Sequence, residues 1–297
     1  MILRLRDREL DLANPAIMGI VNATPDSFSD HQGPKDPDEL AERGARLVEE
    51  GAAIVDVGGE SGRTDTEAVP VEVEIDRVVP VIERLTRDRA RSDAVGAPLV
   101  SVDTWRGPVA RAALQAGAHM INDVSGLGDE SVAAACAETG AALVITHTAA
   151  PPKTKAFPHY DDVVTSVRDF LADRMDAARA AGVDDERIVL DPGIDIAKSP
   201  AESIELIRRL SELAELGHPL LLAVSRKDFI GAVTERPPAA RDAGTLAAVG
   251  AAVDAGANIV RVHDVAGTRD FLEVHGALRN GAPKDLTLAP ELRREAV

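Results

Sequence analysis

The feature that most constrains this chain is an alternation repeated along almost all of it. Short β-branched runs occupy 16–22, 53–58, 98–103, 119–124, 142–147, 188–192, 219–225 and 258–263. Each is followed by a longer helical pattern, near 37–50, 69–90, 107–116, 129–139, 159–181, 201–215, 241–255 and 266–279. Strands alternating with helices read as parallel βαβ units. Eight such units close into a (β/α)8 TIM barrel, and 297 residues suit one domain of that kind spanning 1–297. An open doubly wound sheet is the alternative; it usually has fewer strands and calls for a Gly-rich dinucleotide turn.

Local signals agree with the barrel. Gly51, Gly117, Gly140, Gly182 and Gly256 each stand between a helix and the next strand, where a left-handed C-cap is expected. Pro37 opens a helix, a favoured first-turn position. The longer segments 24–36, 60–68 and 148–158 are rich in Gly, Pro and Thr and follow strands, so they fall on the catalytic face of a barrel. The tail after Asn280 reads as peripheral.

The ends of the strands carry the chemistry. In chain order they offer Asn22; Asp56 and Glu60; Ser101 and Asp103; Asn122 and Asp123; Thr146 and His147; Asp191; Ser225, Arg226 and Lys227; and Arg261 and His263. A barrel converges these positions on one opening, and apolar strands do not end in buried polar groups without partners. Any one of them is also explained by a cap or a structural hydrogen bond, and Asp56 and Asp123 fit that reading as well as they fit catalysis. Eight polar strand ends together are harder to explain as caps.

The residue types sort by task. Lys227, Arg261 and His263 come from neighbouring strands in the sector where barrels often bind phosphate, and arginine offers a planar fork to phosphate oxygens. Asn22 stands next to them once the barrel closes, and its carbonyl suits a phosphate-bound Mg2+. Asp103, Asn122 and Asp191 supply acceptors and an amide suited to a flat heterocycle with amino and oxo edges, such as a pterin.

A net charge of −17 argues against a nucleic-acid-binding surface, so an anionic small ligand needs a local cluster of cations. No run of eighteen apolar residues is present, which argues against a membrane span. The charged start does not read as a signal peptide, and the single cysteine, Cys136, has no internal partner; a cytoplasmic protein is expected.

At this point the motifs IMGIVNATPDSFSD (17–30), IVDVGGES (54–61), SVDT (101–104), INDVSG (121–126), LDPG (190–193), SRK (225–227), GTLAA (244–248) and IVRVHDV (259–265) resemble, in order and over about the whole chain, the dihydropteroate synthase family. The resemblance implies a (β/α)8 barrel that joins 6-hydroxymethyl-7,8-dihydropterin diphosphate to p-aminobenzoate and releases diphosphate, with Mg2+ and commonly as a homodimer. It implies that Asn22, Arg261 and His263 hold the diphosphate with the metal at Asn22. It places the pterin on Asp103, Asn122, Asp191 and Lys227, and Arg63 over the departing diphosphate. Lys227, Arg261 and Asp103 are the expected catalytic residues. Such chemistry needs electrostatic stabilisation rather than a side-chain nucleophile.

The departures from the family pattern gather at the second substrate. The family's Ser-Thr-Arg-Pro reads Ser61-Gly62-Arg63-Thr64, the last Ser of Ser-Arg-Lys-Ser is Asp228, and Asp-Pro-Gly-x-Gly-Phe-Gly-Lys reads Asp191-Pro192-Gly193-Ile194-Asp195-Ile196-Ala197-Lys198. In the family, the positions of Gly62, Thr64, Ile196 and Asp228 shape the p-aminobenzoate pocket. A carboxylate at 228 is expected to repel that of p-aminobenzoate, on the order of a few kcal/mol at about 4 Å in a partly buried site. The pattern also resembles the divergent second dihydropteroate synthase paralogue of actinobacteria. An active synthase therefore stands beside a paralogue that binds pterin diphosphate but uses another amine or has lost the condensation. A non-catalytic pterin-binding protein is a further class. The related barrels that bind methyltetrahydrofolate for corrinoid methyl transfer are disfavoured by the SRK and RVHDV motifs. His147, His159, His263 and His275 lack the spacing of a zinc site.

Overall fold

The structure is a computed structural model that describes residues 1–24, 36–62, 64, 66–87, 98–282, 284, 286–289 and 292–293. An antiparallel hairpin, β1 (Ile2–Leu5) and β2 (Arg8–Asp11), leads into eight parallel strands. These are β3 (Ala16–Asn22), β4 (Ile54–Gly58), β5 (Leu99–Asp103), β6 (Met120–Asp123), β7 (Ala142–Thr146), β8 (Ile188–Asp191), β9 (Leu221–Leu222) and β10 (Ile259–Val262). Their order in the sheet is β8-β7-β6-β5-β4-β3-β10-β9. The ring closes between β8 and β9, where Leu190 bridges Leu220 and its N–H donates to Pro219 O at 2.9 Å. The expected barrel is therefore present.

The strand period builds two apolar layers. Residues facing outward, such as Val55, Val57, Val100, Val102, Val260 and Val262, pack against the surrounding helices. Those facing inward near the strand starts, including Met18, Ile54, Leu99, Met120, Val189, Leu221 and Ile259, fill the barrel interior. Leu3 and Leu5 of the hairpin join that inner cluster, so the hairpin plugs the end of the barrel away from the strand C-termini. The sequence reading missed this hairpin because its charged residues masked the alternation. Two residues further along five of the strands the inward positions turn polar: Asp56 follows Ile54, Ser101 follows Leu99, Asn122 follows Met120, Asp191 follows Val189 and Arg261 follows Ile259. Inward geometry makes the floor of the opening polar.

Helices α2 (Val71–Arg87), α3 (Gly107–Gln115) and α4 (Ser131–Thr139) follow β4, β5 and β6. Several of the other helices begin on local side-chain caps. In α1 (Pro37–Glu49), Asp36 accepts from Asp38 N and Pro37 takes the first turn. In α5 (Val163–Ala180), Asp162 accepts from Thr165 N at 2.8 Å, so the helix begins four residues later than the pattern suggested. The expected helix over 201–215 is split into α6 (Pro200–Arg208) and α7 (Ser211–Ala214), and α6 opens on a Ser199–Glu202 capping box. A short helix at Asp228–Thr234, which we call α8, follows β9 and was not expected from the sequence. The five inter-element glycines all have positive φ, as the sequence implied. Among the described residues no helix is long and apolar enough to cross a membrane.

Candidate active site

The strand C-termini surround a cavity of about 630 Å3. Asp103, Asn122, Asp191, Lys227 and Arg261, from five different strands or their loops, line one part of it. Gly62, Thr64, Ile196 and Asp228 line the rest. The two sets separated by sequence therefore share one chamber. Asn22 ends β3 on the same rim: a Cβ placed on Gly58 would lie 3.9 Å from Asn22 Oδ1 and 3.8 Å from Asp103 Cβ. Arg63 lies outside the described residues, as does most of the segment after β3.

Arg261 is the central cation. Its Nε donates to Asp56 Oδ2 at 2.6 Å and its Nη2 to Asp103 Oδ2 at 2.8 Å. Asp56 is fully buried and also receives Asn122 Nδ2 at 3.2 Å. Asp56 thus orients both Arg261 and Asn122 through structural hydrogen bonds. Asp123 acts as a structural acceptor elsewhere. Its carboxylate accepts from Ser125 N (2.8 Å), Ser125 Oγ (2.6 Å) and Leu127 N (2.8 Å), and so builds the loop after β6. Burial, opposed by Arg261, raises the Asp103 carboxyl well above the usual carboxylate range. Burial raises Asp191 in the same way, against the N–H of Gly193, which donates to its Oδ1 at 2.7 Å.

His263 lies beside Arg261 at the end of β10 and is pushed down to about 4 by burial, with Arg261 and Arg226 adding to the shift. It is therefore neutral at pH 7. Ser225 Oγ accepts from His263 N at 3.3 Å and lies 2.9 Å from Nδ1. Where the hydroxyl donates to Nδ1, the ring proton stands on Nε2 as a donor. Arg226, by contrast, is committed to Asp242 at 2.8 Å.

Lys227 Nζ donates to Ile194 O at 2.9 Å, and burial lowers its pKa. Ile194 opens the loop that replaces the glycine-rich segment of the family. Asp195 and Ala197 have φ of 58° and 50°, so they occupy the left-handed conformation at the two positions where the family has glycine. Asp195 repays part of that strain: its carboxylate accepts from Ser203 Oγ (2.8 Å) and Phe229 N (3.1 Å).

Asp228, the first residue of α8, is 86% exposed and pairs with Arg241 Nη1 at 3.1 Å. That nitrogen also lies 3.0 Å from Arg226 O and 3.1 Å from Lys227 O. The carboxylate expected to stand bare in the second-substrate pocket is thus exposed and partnered.

Several residues at the site went unassigned in the sequence. The buried Glu60 lies 2.7 Å from Arg106 Nη2 and 3.3 Å from Lys153 Nζ, and accepts from Val69 N at 3.2 Å. Lys153 also donates to Ser61 O at 2.7 Å. Glu60 therefore ties together the loops after β4, β5 and β7. Lys198 is 2% exposed and lines the same cavity. No periodicity marks these residues; the one signal available was charge inside otherwise apolar or Gly/Pro-rich loops.

A barrel with a pterin-shaped set of acceptors beside paired cations defines a class, and the comparisons agree with it. The chain belongs to the pterin binding enzyme family, whose model matches residues 18–263, and within it to the dihydropteroate synthases. It is 40% identical over 265 residues to a dihydropteroate synthase of Synechocystis sp., covering 88% of this chain and 89% of that one. It is 41% identical over 284 residues to the dihydropteroate synthase of Mycobacterium leprae, covering 93% and 97%. Among solved structures it is similar to Xanthomonas albilineans dihydropteroate synthase with 4-aminobenzoic acid, with a TM-score of 0.86, 44% identity and coverage of 95% and 100%. The same enzyme in complex with 7,8-dihydropteroate gives a TM-score of 0.81 at 41% identity, covering 95% of this chain and 99% of that one.

Proposed function

We propose that this chain condenses 6-hydroxymethyl-7,8-dihydropterin diphosphate with p-aminobenzoate, giving dihydropteroate and diphosphate in folate biosynthesis. The observation that carries the reading is the polar floor of the cavity. Among the described residues, Asn122 Oδ1 is buried there without a hydrogen-bond partner, in the same cavity as the carboxylates of Asp103 and Asp191. Three acceptors in one chamber call for a ligand rich in N–H groups, and a pterin supplies ring N–H and exocyclic amine donors. The solved relatives with 4-aminobenzoic acid and 7,8-dihydropteroate support both substrate classes.

The mechanism follows from charge placement. Asp103, Asn122 and Asp191 orient the pterin, and Lys227 lies over the same chamber. As the bond to the diphosphate breaks, Arg261 and the Nε2–H of His263 stabilise negative charge leaving on one side. The carboxylates of Asp103 and Asp191 shelter the pterin-methyl cation on the other. The arylamine then attacks from the part of the cavity lined by Gly62, Thr64, Ile196 and Asp228. Arg63 is assigned to covering the diphosphate on the family pattern alone.

Mg2+ fits the residues present. Among the described residues no three His, Cys, Asp or Glu side chains group into a metal site, whereas Mg2+ commonly takes one or two protein oxygens and completes its shell with phosphates and water. The Asn22 carboxamide is such an oxygen donor, and the ion bound there would neutralise charge on the departing diphosphate.

The four substitutions at the second pocket favour one other reading, a paralogue with a different amine. The Asp228–Arg241 pair weakens that alternative, because it offsets the charge that would exclude p-aminobenzoate. We further assign the chain to the cytoplasm, as a homodimer through the helices near 201–215, 241–255 and 266–279; Val274 and Leu278, 61% and 83% exposed, support the last of these faces. Sedimentation would show a monomer if the assembly is wrong. Complementation of a strain lacking its own synthase tests the activity. Growth without folate-derived supplements is expected; no growth with soluble, folded protein would contradict the reading.

A further inference from the structure

The loop 193–197, whose residues 195–197 line the cavity, is held by two lysines. From the pterin side, Lys227 Nζ donates to Ile194 O at 2.9 Å. From beneath, Lys198 Nζ donates to Gly193 O and Ile196 O, each at 2.9 Å, and lies 2.8 Å from His147 Nδ1. Lys198 is buried to 2% exposure, which lowers its pKa to about 7, so its amine is surrounded by these acceptors rather than by water. Burial, with Lys198 adding to it, holds His147 down at about 3, so the ring is neutral and Nδ1 is free to accept.

The loop needs such a clamp. Asp195 and Ala197 are both held in the left-handed conformation, which an unsupported chain would leave. Gly193 also has positive φ, and a Cβ there would run into His147 O, so the backbone is pressed against the end of β7. The clamp reaches both ligand sites. The N–H of Gly193, whose carbonyl Lys198 holds, orients Asp191 Oδ1 at 2.7 Å. Ile196, whose carbonyl Lys198 also holds, lines the second-substrate side of the cavity.

We propose that Lys198 is a positioning residue that couples the two substrate sites, fixing Asp191 and Lys227 for the pterin and Ile196 for the amine through one loop. The proposal rests on the assignment of those sites given above. The effect of Lys198 on both substrates passes through the carbonyls of Gly193 and Ile196.

The test compares the wild type with Lys198→Met and Lys198→Gln, and with Leu171→Ala as a control. Leu171 is fully buried in α5, in the layer between strands and helices. Amide exchange at 193–197, calorimetry with 6-hydroxymethylpterin and the KM for p-aminobenzoate are measured for each. In whichever Lys198 variant is folded, exchange in the loop is expected to accelerate, and both the pterin Kd and the amine KM to rise about tenfold or more. In Leu171→Ala the melting temperature is expected to fall with all three readouts unchanged. Unchanged loop exchange overturns the proposal. So does a loosened loop with unaltered pterin affinity, or a control that shifts all three readouts equally. A wild type that binds no pterin contradicts the proposed function instead, and the exchange comparison still decides whether Lys198 clamps the loop.

Discussion

Arg261 Nη2 donates to Asp103 Oδ2 at 2.8 Å, joining the residue assigned to the diphosphate to one assigned to the pterin. Its Nε is held by Asp56 at 2.6 Å at the same time. A guanidinium gripped from below by one buried carboxylate still has donors to turn toward a phosphate, and its planar fork suits that ligand. Removing it leaves Asp56 and Asp103 facing each other and takes away the main cation at the leaving group. Arg261→Met is therefore expected to weaken pterin diphosphate binding about 100-fold, while 6-hydroxymethylpterin affinity shifts much less. Calorimetry with the two ligands checks this; equal losses for both would show that Arg261 serves the pterin rather than the diphosphate.

Ala197 has φ of 50° where the family has glycine. A Cβ in that region costs about 1–2 kcal/mol, and the extra freedom glycine gains in the unfolded chain offsets about 0.4–1 kcal/mol of the relief. Ala197→Gly is expected to stabilise the protein by about 0.5–1 kcal/mol, which thermal or denaturant unfolding would detect. A lower melting temperature would show that the loop is not strained there.

His147 is depressed to about 3 and His263 to about 4, both mainly by burial, from the ordinary 6.5. For each, the folded state binds fewer protons than the unfolded state between those values. The contribution is complete above pH 6.5 and is lost as pH falls toward 3 or 4, at up to about 1.4 kcal/mol per pH unit for each ring. The raised carboxyls of Asp103 and Asp191 act in the opposite sense, so the histidine effect must be isolated. The stability gap between wild type and His147→Gln is expected to shrink as pH drops from 6.5 to 5. A gap that stays constant would mean the ring titrates in the folded protein as it does in the unfolded chain.

Asp228 is exposed and paired with Arg241 at 3.1 Å, and exposed pairs contribute about 0–1 kcal/mol. Its penalty on p-aminobenzoate is correspondingly smaller than a bare buried carboxylate would impose. Asp228→Ser is expected to lower the KM for p-aminobenzoate about threefold to fivefold, and Arg241→Gln to raise it by a similar factor. A neutral arylamine should show neither change. Equal shifts for the neutral amine would assign the effect to shape rather than charge.

The barrel was legible because its pattern is local. Short β-branched runs, helical stretches between them and glycine at five of the returns are written within a few residues of one another. The inward switch from Ile54 to Asp56 or from Ile259 to Arg261 could also be read, since it needs only strand geometry and a known direction. The hairpin at Ile2–Asp11 could not: Leu3 and Leu5 alternate with charges that face solvent, and what makes them a plug is the barrel end they meet. The same holds for Lys198 and Glu60, whose partners lie on loops distant in the chain. Asp228 shows the converse limit. Its identity announced a charge, but Arg241, thirteen residues later, decides how much of that charge a ligand meets.

The central claim is that one cavity joins a pterin diphosphate to p-aminobenzoate. The most direct measurement is diphosphate release by the purified protein with Mg2+ and both substrates, with product identified by mass spectrometry. The account predicts release that requires both substrates, yields dihydropteroate and is abolished in Arg261→Met. Pterin diphosphate that binds yet never yields dihydropteroate, with the protein folded and p-aminobenzoate in excess, would contradict it.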